Sequence, residues 1–242
     1  MQEPKIEIVH PSFEVMTPIE EIIQFPRRLE LAGRTCYRSE GKITEGSADK
    51  LIEKLIKSGH ESVLEHCSIT VRYVMDRTAS HQLVRHRISA FSQESQRFCN
   101  YGKSGALRVI IPEALLSGAS ANEFLSEGVV ISEVGELGVD MVFSRFLQSC
   151  LNSYGDYLYF LEAGMRPEDA RLVLPGATAT TVVTTFNLRQ WRHFFDMRCD
   201  KHAQRQIRML ALGTLRCFVS IIPSVFKDKL GKFLVRKDVE DA

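Results

Sequence analysis

Net charge of either sign is nearly absent from this 242-residue chain, which stands at +1 at pH 7 with its histidines neutral. A balance of that kind gives no bulk attraction to nucleic acid or to an anionic membrane. Long apolar runs are also missing. The most apolar late stretch, LRCFVSIIPSVF at 215–226, is interrupted by Pro223 and is too short to span a bilayer. The opening MQEPKIEIVHPSF lacks the apolar centre of a signal peptide. Cys36, Cys67, Cys99, Cys150, Cys199 and Cys217 form no C-x-x-C pair and show no zinc-finger or redox spacing. The expectation is a soluble, cytoplasmic protein with free thiols.

Several catalytic motifs are missing too. There is no P-loop and no G-x-G-x-x-G, so a dinucleotide, if bound, is not held in the Rossmann manner. No G-x-S-x-G surrounds Ser95, which removes the serine-hydrolase reading, and none of the cysteines stands in a nucleophile motif. HESVLEH at 60–66 misses the H-E-x-x-H zinc motif, because its histidines are six positions apart and do not share a helical face. No metal site is expected. Internal repeats, heptads and low-complexity linkers are absent as well.

What is present is an ordinary globular composition long enough for a sizeable core. KIEIV at 5–9 alternates like a strand. Thr17-Pro18 with Glu20 and Glu21 reads as a helix start capped by the Thr17 hydroxyl. Pro26 should kink or end that helix, with a second helical piece through Leu29 to Ala32. Residues 47–58 repeat apolar positions at helical spacing, and Gly59 stops them. CSITVRYVM at 67–75 is the best strand pattern in the chain. Asp76 then caps a helix expected to carry Gln82, Arg85 and His86 and to fray near Ile88, because SAFSQES is poor helix material. RVIIP at 108–112 reads as a short strand, and residues 114–136 as a surface excursion. A long helix is expected over 139–161, closed by Gly164, and another from Pro167 to before Pro175. TATTVVTTFN at 178–187 is strand-like, and Arg189 to Phe218 reads as one helical stretch. The expected class is α+β: a single domain over 1–242 with a central mixed or antiparallel sheet flanked by helices.

The charge that exists is clustered. Asp76 to Arg108 holds six Lys/Arg against two acids, and Asn187 to Arg208 again six against two. Two cationic segments in a balanced chain point to local anion sites. In RHRISAFSQESQRF at 85–98, Gln82 and Arg85 share a helical face at three residues' spacing, while Arg87 points elsewhere. Arginine suits phosphate because its rigid fork bonds two oxygens at once. The bland alternative is a solvated helix end and a polar loop; Arg97, with no acidic run beside the cluster, favours a phosphate-bearing ligand. The turn with His60, Ser62 and Glu65 either caps a helix-to-strand passage or presents hydrogen-bonding groups to a ligand. In NLRQWRHFFDMRCDKHAQ at 187–204, Arg189, His193 and Asp196 fall on one side of a helix, and Arg198 and His202 on one face. Trp191, Phe194, Phe195 and Met197 read as core. This segment is either a helix with ordinary surface charges or a second wall of an anion site.

Arg85-His86-Arg87, seven residues and then Ser95 resembles the signature of the flavin-dependent thymidylate synthases. GHESVLEH at 59–66, AGRTCY at 32–37, RLVLP at 171–175 and the 187–204 block are similar to that family's segments and stand in its order. The resemblance implies conversion of dUMP to dTMP, with the methylene taken from 5,10-methylenetetrahydrofolate and with NADPH reducing bound FAD, so that tetrahydrofolate is released. It implies a homotetramer of α+β subunits whose active sites are shared between chains, and no enzyme nucleophile. Residue by residue it implies flavin contacts at His60, Ser62, Glu65, Arg85, His86, Arg87, Gln93, Asn187, Arg189 and His193. It implies dUMP contacts at Gln82, Arg85, Gln93, Glu94, Ser95, Gln96, Arg97, Arg171 and Arg198. Arg198 would polarise the uracil and favour ionisation at N3. Two positions depart from the family pattern: Phe98 where Tyr is common, and Ser92 where Asn is frequent. The rival class is a nucleic-acid-binding module, which would want a continuous basic face and exposed aromatics.

Overall fold

The computed structural model describes residues 3–116, 128–134 and 140–234. The strands are β1 (Ile6–Ile8), β2 (Ser12–Val15), β3 (Ser68–Asp76), β4 (Ala90–Gln93), β5 (Leu107–Val109), β6 (Val130–Ile131) and β7 (Ala179–Asn187). The helices are α1 (Ile19–Ile23), α2 (Phe25–Thr35), α3 (Ser47–Lys57), α4 (Arg77–Leu83), α5 (Met141–Glu162), α6 (Pro167–Ala170), α7 (Leu188–Arg198), α8 (Arg205–Ile221) and α9 (Pro223–Leu234). The class is α+β, but the strands form two sheets where one central sheet was expected. One has the order β5-β1-β6, with β5 parallel and β6 antiparallel to β1; the other has the order β2-β3-β7-β4.

The chain divides into two compact units: Met1–Ser12, Val74–Leu83 and Ser92–Val182 in the first, and Phe13–Tyr73, Val84–Phe91 and Val183–Ala242 in the second. The long strands β3 and β7 contribute residues to both. In the first unit, Ile6, Ile8, Leu107 and Val109 pack with Phe143, Leu147, Tyr154, Tyr157 and Leu158 of α5. Asp140 starts α5 by accepting the N–H groups of Val142 and Phe143 at 2.8 and 2.9 Å, and Gly164 ends it at φ +88°. Val139, where that helix was expected to begin, lies outside the described residues, as does most of the 114–136 excursion.

In the second unit, Trp191 is fully buried among Phe186, Phe194, Phe195 and Phe218, with ring centroids 4.5–5.7 Å apart. Its Nε1–H donates to Ile69 O at 3.1 Å, so the one polar atom of the ring is satisfied. Buried Glu30 of α2 accepts from Arg34 at 2.7 Å and from Ser47, the first residue of α3, at 2.6 Å. Gly59 follows α3 at φ +74°, a left-handed turn that any side chain would strain.

Five local expectations are corrected. Thr17 does not cap α1: its Oγ1 accepts Thr70 N–H at 2.8 Å, pairing with β3, and Pro18 occupies the cap position. The helix after β3 stops at Leu83, so Arg85 lies in a turn and His86 and Arg87 in irregular chain; the shared face of Gln82 and Arg85 is lost. SAFSQES holds strand β4, whose pairing beside β7 outweighs its weak local propensity. The stretch 189–218 is two helices. His202 N–H donates to Asp200 Oδ1 at 3.0 Å, and Gln204 Oε1 caps α8 through Ile207 N–H at 2.9 Å, so His202 sits in a turn away from any face shared with Arg198. Met197, expected in the core, is exposed.

Candidate active site

In the second unit the two cationic segments meet at His86. Its ring is 5% exposed and lies edge-on to Phe194 at 5.1 Å and to His193 at 5.8 Å, with Phe186 at 6.0 Å. Arg198 Nε–H, from the last turn of α7, donates to His86 Nε2 at 3.0 Å. On the other side of the ring the amide of buried Gln190 lies 3.4 Å from Nδ1. Burial first, then Arg198 and His193, pull the His86 imidazole down to about 4, so it is neutral at pH 7. Burial and the neighbouring Arg85 both lower the basicity of Arg198. The site thus concentrates positive charge at a half-buried point, where an anion would be held strongly.

A second arginine of the same helix behaves differently. Buried Arg192 grips Asp228 of α9 with two bonds of 2.7 Å and Glu61 of the 61–66 turn at 3.0 Å, and also donates to Val225 O. Burial works against its charge, but Asp228 and Glu61 more than offset this and raise its basicity. Arg192 is thus a clamp whose charge is matched by two carboxylates. Arg189 Nη1 pairs with Glu65 at 2.6 Å on the exposed surface, which joins the turn to the start of α7. Asn187 caps α7 by accepting Gln190 N–H at 2.8 Å. His60, Ser62, Arg87 and His193 are exposed in this unit.

The first unit holds the remaining expected residues. Gln93 Nε2 donates to Ser80 Oγ at 2.9 Å and to Thr180 Oγ1 at 3.4 Å, both buried. Ser80 Oγ spends its own proton on Arg77 O at 2.7 Å, so it must accept from Gln93. Both N–H groups of the Gln93 amide are therefore committed, which leaves its carbonyl oxygen as the end to offer a ligand. Glu94 Oε1 accepts from the hydroxyl of Tyr101 at 2.8 Å; burial and Glu94 push that hydroxyl up, so it stays a donor. Ser95 opens a turn, accepting Arg97 N–H on Oγ at 3.3 Å and Cys99 N–H on its carbonyl at 2.8 Å, with Gln96 half-buried inside it. Arg97 pairs with Glu168 Oε2 at 2.6 Å, and Arg171 Nε donates to Glu168 O at 3.0 Å. Phe98 is 78% exposed beneath the Arg97 guanidinium, 5.2 Å from the ring centre. Gln82 is exposed on α4.

Sequence reasoning missed Gln190, Ser80, Thr180 and Glu168. The only signal was polar residues at positions that pattern alone reads as strand or helix interior. It also read no acidic run beside the Arg85–Arg97 cluster, whereas Arg97 finds the carboxylate of Glu168 far away in the chain. All six cysteines are free thiols. Among the described residues no cluster of His, Cys, Asp or Glu could hold a metal ion, and no helix is long and apolar enough to cross a membrane.

The depressed value of His86 carries a stability consequence. As pH falls, the unfolded chain, with an ordinary histidine near 6.5, takes up the proton before the folded one does. Stability is therefore full above about pH 6.5 and is lost as pH falls towards 4, by at most roughly 3 kcal/mol. Urea midpoints should fall across that window, and His86→Gln should flatten the decline.

Residues 21–224 match the family described as thymidylate synthase complementing protein. The flavin-dependent thymidylate synthase of Geobacter sulfurreducens is 36% identical over 205 residues, covering 82% of this chain and 79% of the relative. That of Mycobacterium tuberculosis is 34% identical over 207 residues, covering 84% and 79%. Among solved structures, a UMP/dUMP methylase, PolB, from Streptomyces cacaoi bound with 5-Br dUMP superposes with a TM-score of 0.68 at 25% identity, covering 94% of this chain and 98% of that one. With a family match over most of its length and relatives above 30% identity, the chain belongs to the thymidylate synthase complementing protein family, that of the flavin-dependent thymidylate synthases.

Proposed function

We propose that this protein is a flavin-dependent thymidylate synthase, a methyltransferase that converts dUMP to dTMP with 5,10-methylenetetrahydrofolate as carbon donor. The observation that carries the reading is Arg198, half-buried, seated on a neutral imidazole and pressed by a second guanidinium at Arg85. When negative charge develops on the uracil ring, a fixed cation in a dry setting stabilises it without reorganising. Gln93, its amide nitrogen tied to Ser80 and Thr180, offers an oxygen to a ring N–H. Arg97 and Arg171, with Gln82, Arg85, Glu94, Ser95 and Gln96, complete the proposed dUMP contacts.

The donor set of the second unit suits FAD. Arg85 and Arg87 supply guanidinium forks for a pyrophosphate, while His60, Ser62 and His193 supply exposed hydrogen-bonding groups. Glu65, His86, Asn187 and Arg189 orient them, with Gln93 adding to the set. Bound FAD would carry reducing equivalents from NADPH. The chain contributes binding, orientation and the charge of Arg198, and no nucleophile. We further propose that residues 1–242 act as one functional domain, in a cytoplasmic homotetramer with shared active sites.

The first test is the visible spectrum of the purified protein with and without added FAD. A flavin band is expected, followed by dTMP formation when dUMP, methylenetetrahydrofolate and NADPH are supplied together; UMP run in parallel tests the sugar. Absence of any band after reconstitution would remove the mechanism.

Glu168 gives a sharper test of the nucleotide site. It holds Arg97, so a nucleotide phosphate must compete with its carboxylate. Glu168→Gln should tighten dUMP binding, by roughly two- to fivefold. Calorimetric titration showing unchanged or weaker affinity would take Arg97 out of the phosphate contacts.

A further inference from the structure

We propose that His86 is a positioning residue: its unprotonated Nε2 accepts the Nε–H of Arg198 and so fixes the plane of that guanidinium. The proposal rests on the reading of Arg198 as the group that stabilises charge on the nucleotide base.

Proton counting fixes the arrangement. A guanidinium Nε–H only donates, so the nitrogen 3.0 Å away must present a lone pair. A neutral imidazole with a bare Nε2 carries its proton on Nδ1. The Gln190 amide 3.4 Å from Nδ1 must then turn its oxygen there, which a half-turn of the amide achieves. Packing holds the ring in that orientation. Phe194, His193 and Phe186 surround it, and it is almost wholly shielded from water.

The ionisable groups acting on the imidazole are Arg198 and His193 of α7, and Arg85 stands next to Arg198. Among the described residues no carboxylate is one of them. An imidazolium here would be a like charge against a guanidinium, so the ring stays an acceptor through the neutral range. The choice of acceptor matters chemically. A carboxylate would fix the arginine equally well but would cancel its charge, as Asp228 and Glu61 do for Arg192 six residues earlier. An imidazole orients the guanidinium without itself adding a negative charge.

The test begins with ¹⁵N-histidine NMR of the unmodified protein. The expected result is an Nδ1–H tautomer for His86 from pH 6 to 8, with an Nε2 resonance that moves in Arg198→Lys. An Nε2–H tautomer overturns the proposal whatever the protein catalyses. The tautomer needs no variant, so a substituted chain that fails to fold does not shield the idea. Kinetics then separates positioning from packing. His86→Gln, which keeps an acceptor oxygen near Nε2, should stay within roughly tenfold in kcat, and His86→Leu should fall by roughly a hundredfold with a smaller change in KM for dUMP. His86→Glu, which seats the arginine on a carboxylate, should fall as far as His86→Leu. Equal losses in the Gln and Leu variants would overturn the positioning role. The expected tautomer in a protein that makes no dTMP would instead refute the reading of the reaction and leave the geometry standing.

Discussion

Arg198→Ala is expected to lower dTMP formation by roughly a hundred- to a thousandfold while the flavin remains bound. The reason lies in where the side chain acts. It sits half-buried on His86, with burial and Arg85 both working against its charge, so a developing negative charge beside it is favoured. An interaction made mainly when charge develops on the base lowers kcat along with kcat/KM. The Lys variant keeps the charge but loses Nε and the planar fork, and should fall between wild type and alanine. The measurement is single-turnover dTMP formation alongside the visible spectrum of each variant. Loss of the flavin band in Arg198→Ala would make the residue a cofactor contact and contradict the role given to it.

Trp191→Ala is expected to cost about 3–5 kcal/mol of folding stability. The indole is fully buried and packs against Phe186, Phe194, Phe195 and Phe218, and its N–H satisfies the carbonyl of Ile69 in β3. Alanine would leave a cavity in that aromatic cluster and remove the hydrogen bond from the indole to β3. For a chain of this length the melting temperature should drop by roughly 6–20 °C. The loss is best followed by far-ultraviolet circular dichroism, because Trp191 is the sole tryptophan and the variant has no indole fluorescence. A drop of only a degree or two would mean that neighbouring rings close the space. Trp191→Phe, which keeps most of the volume but not the N–H, should fall between the two.

Strong local patterns were legible in the sequence. KIEIV contains β1, CSITVRYVM contains most of β3, and TATTVVTTFN contains β7; Gly59 and Gly164 end helices where left-handed backbone is needed. The failures share a cause, which is that a distant partner outweighs a neighbour. Thr17 prefers the edge of β3 to capping its own helix, and residues 90–93 become a strand because β7 lies beside them. The break between α7 and α8 left a fainter local trace in Asp200, which accepts an N–H in the turn, and Gln204, which caps α8. For the site, the residue types and their clustering were readable, but the seating was not. His86 and Gln190 are 104 positions apart, and Arg97 and Glu168 are 71 apart. No spacing rule reaches across such separations, and only the folded hydrogen bonds show which groups are already committed.

The Arg192 clamp has a practical consequence for anyone trimming or tagging this protein. One guanidinium ties the last described helix, through Asp228, to the turn that begins at Glu61 and contains Ser62 and Glu65. Removing α9 would leave a buried cation with half its counter-charge, and the damage would surface at that turn, far from the cut in sequence. Deletion mapping would then assign a catalytic role to a segment that serves as a foundation. Fusions and truncations should therefore keep Asp228 and its helix intact, and an inactive C-terminal deletion should be checked for folding before its loss of activity is given any mechanistic meaning.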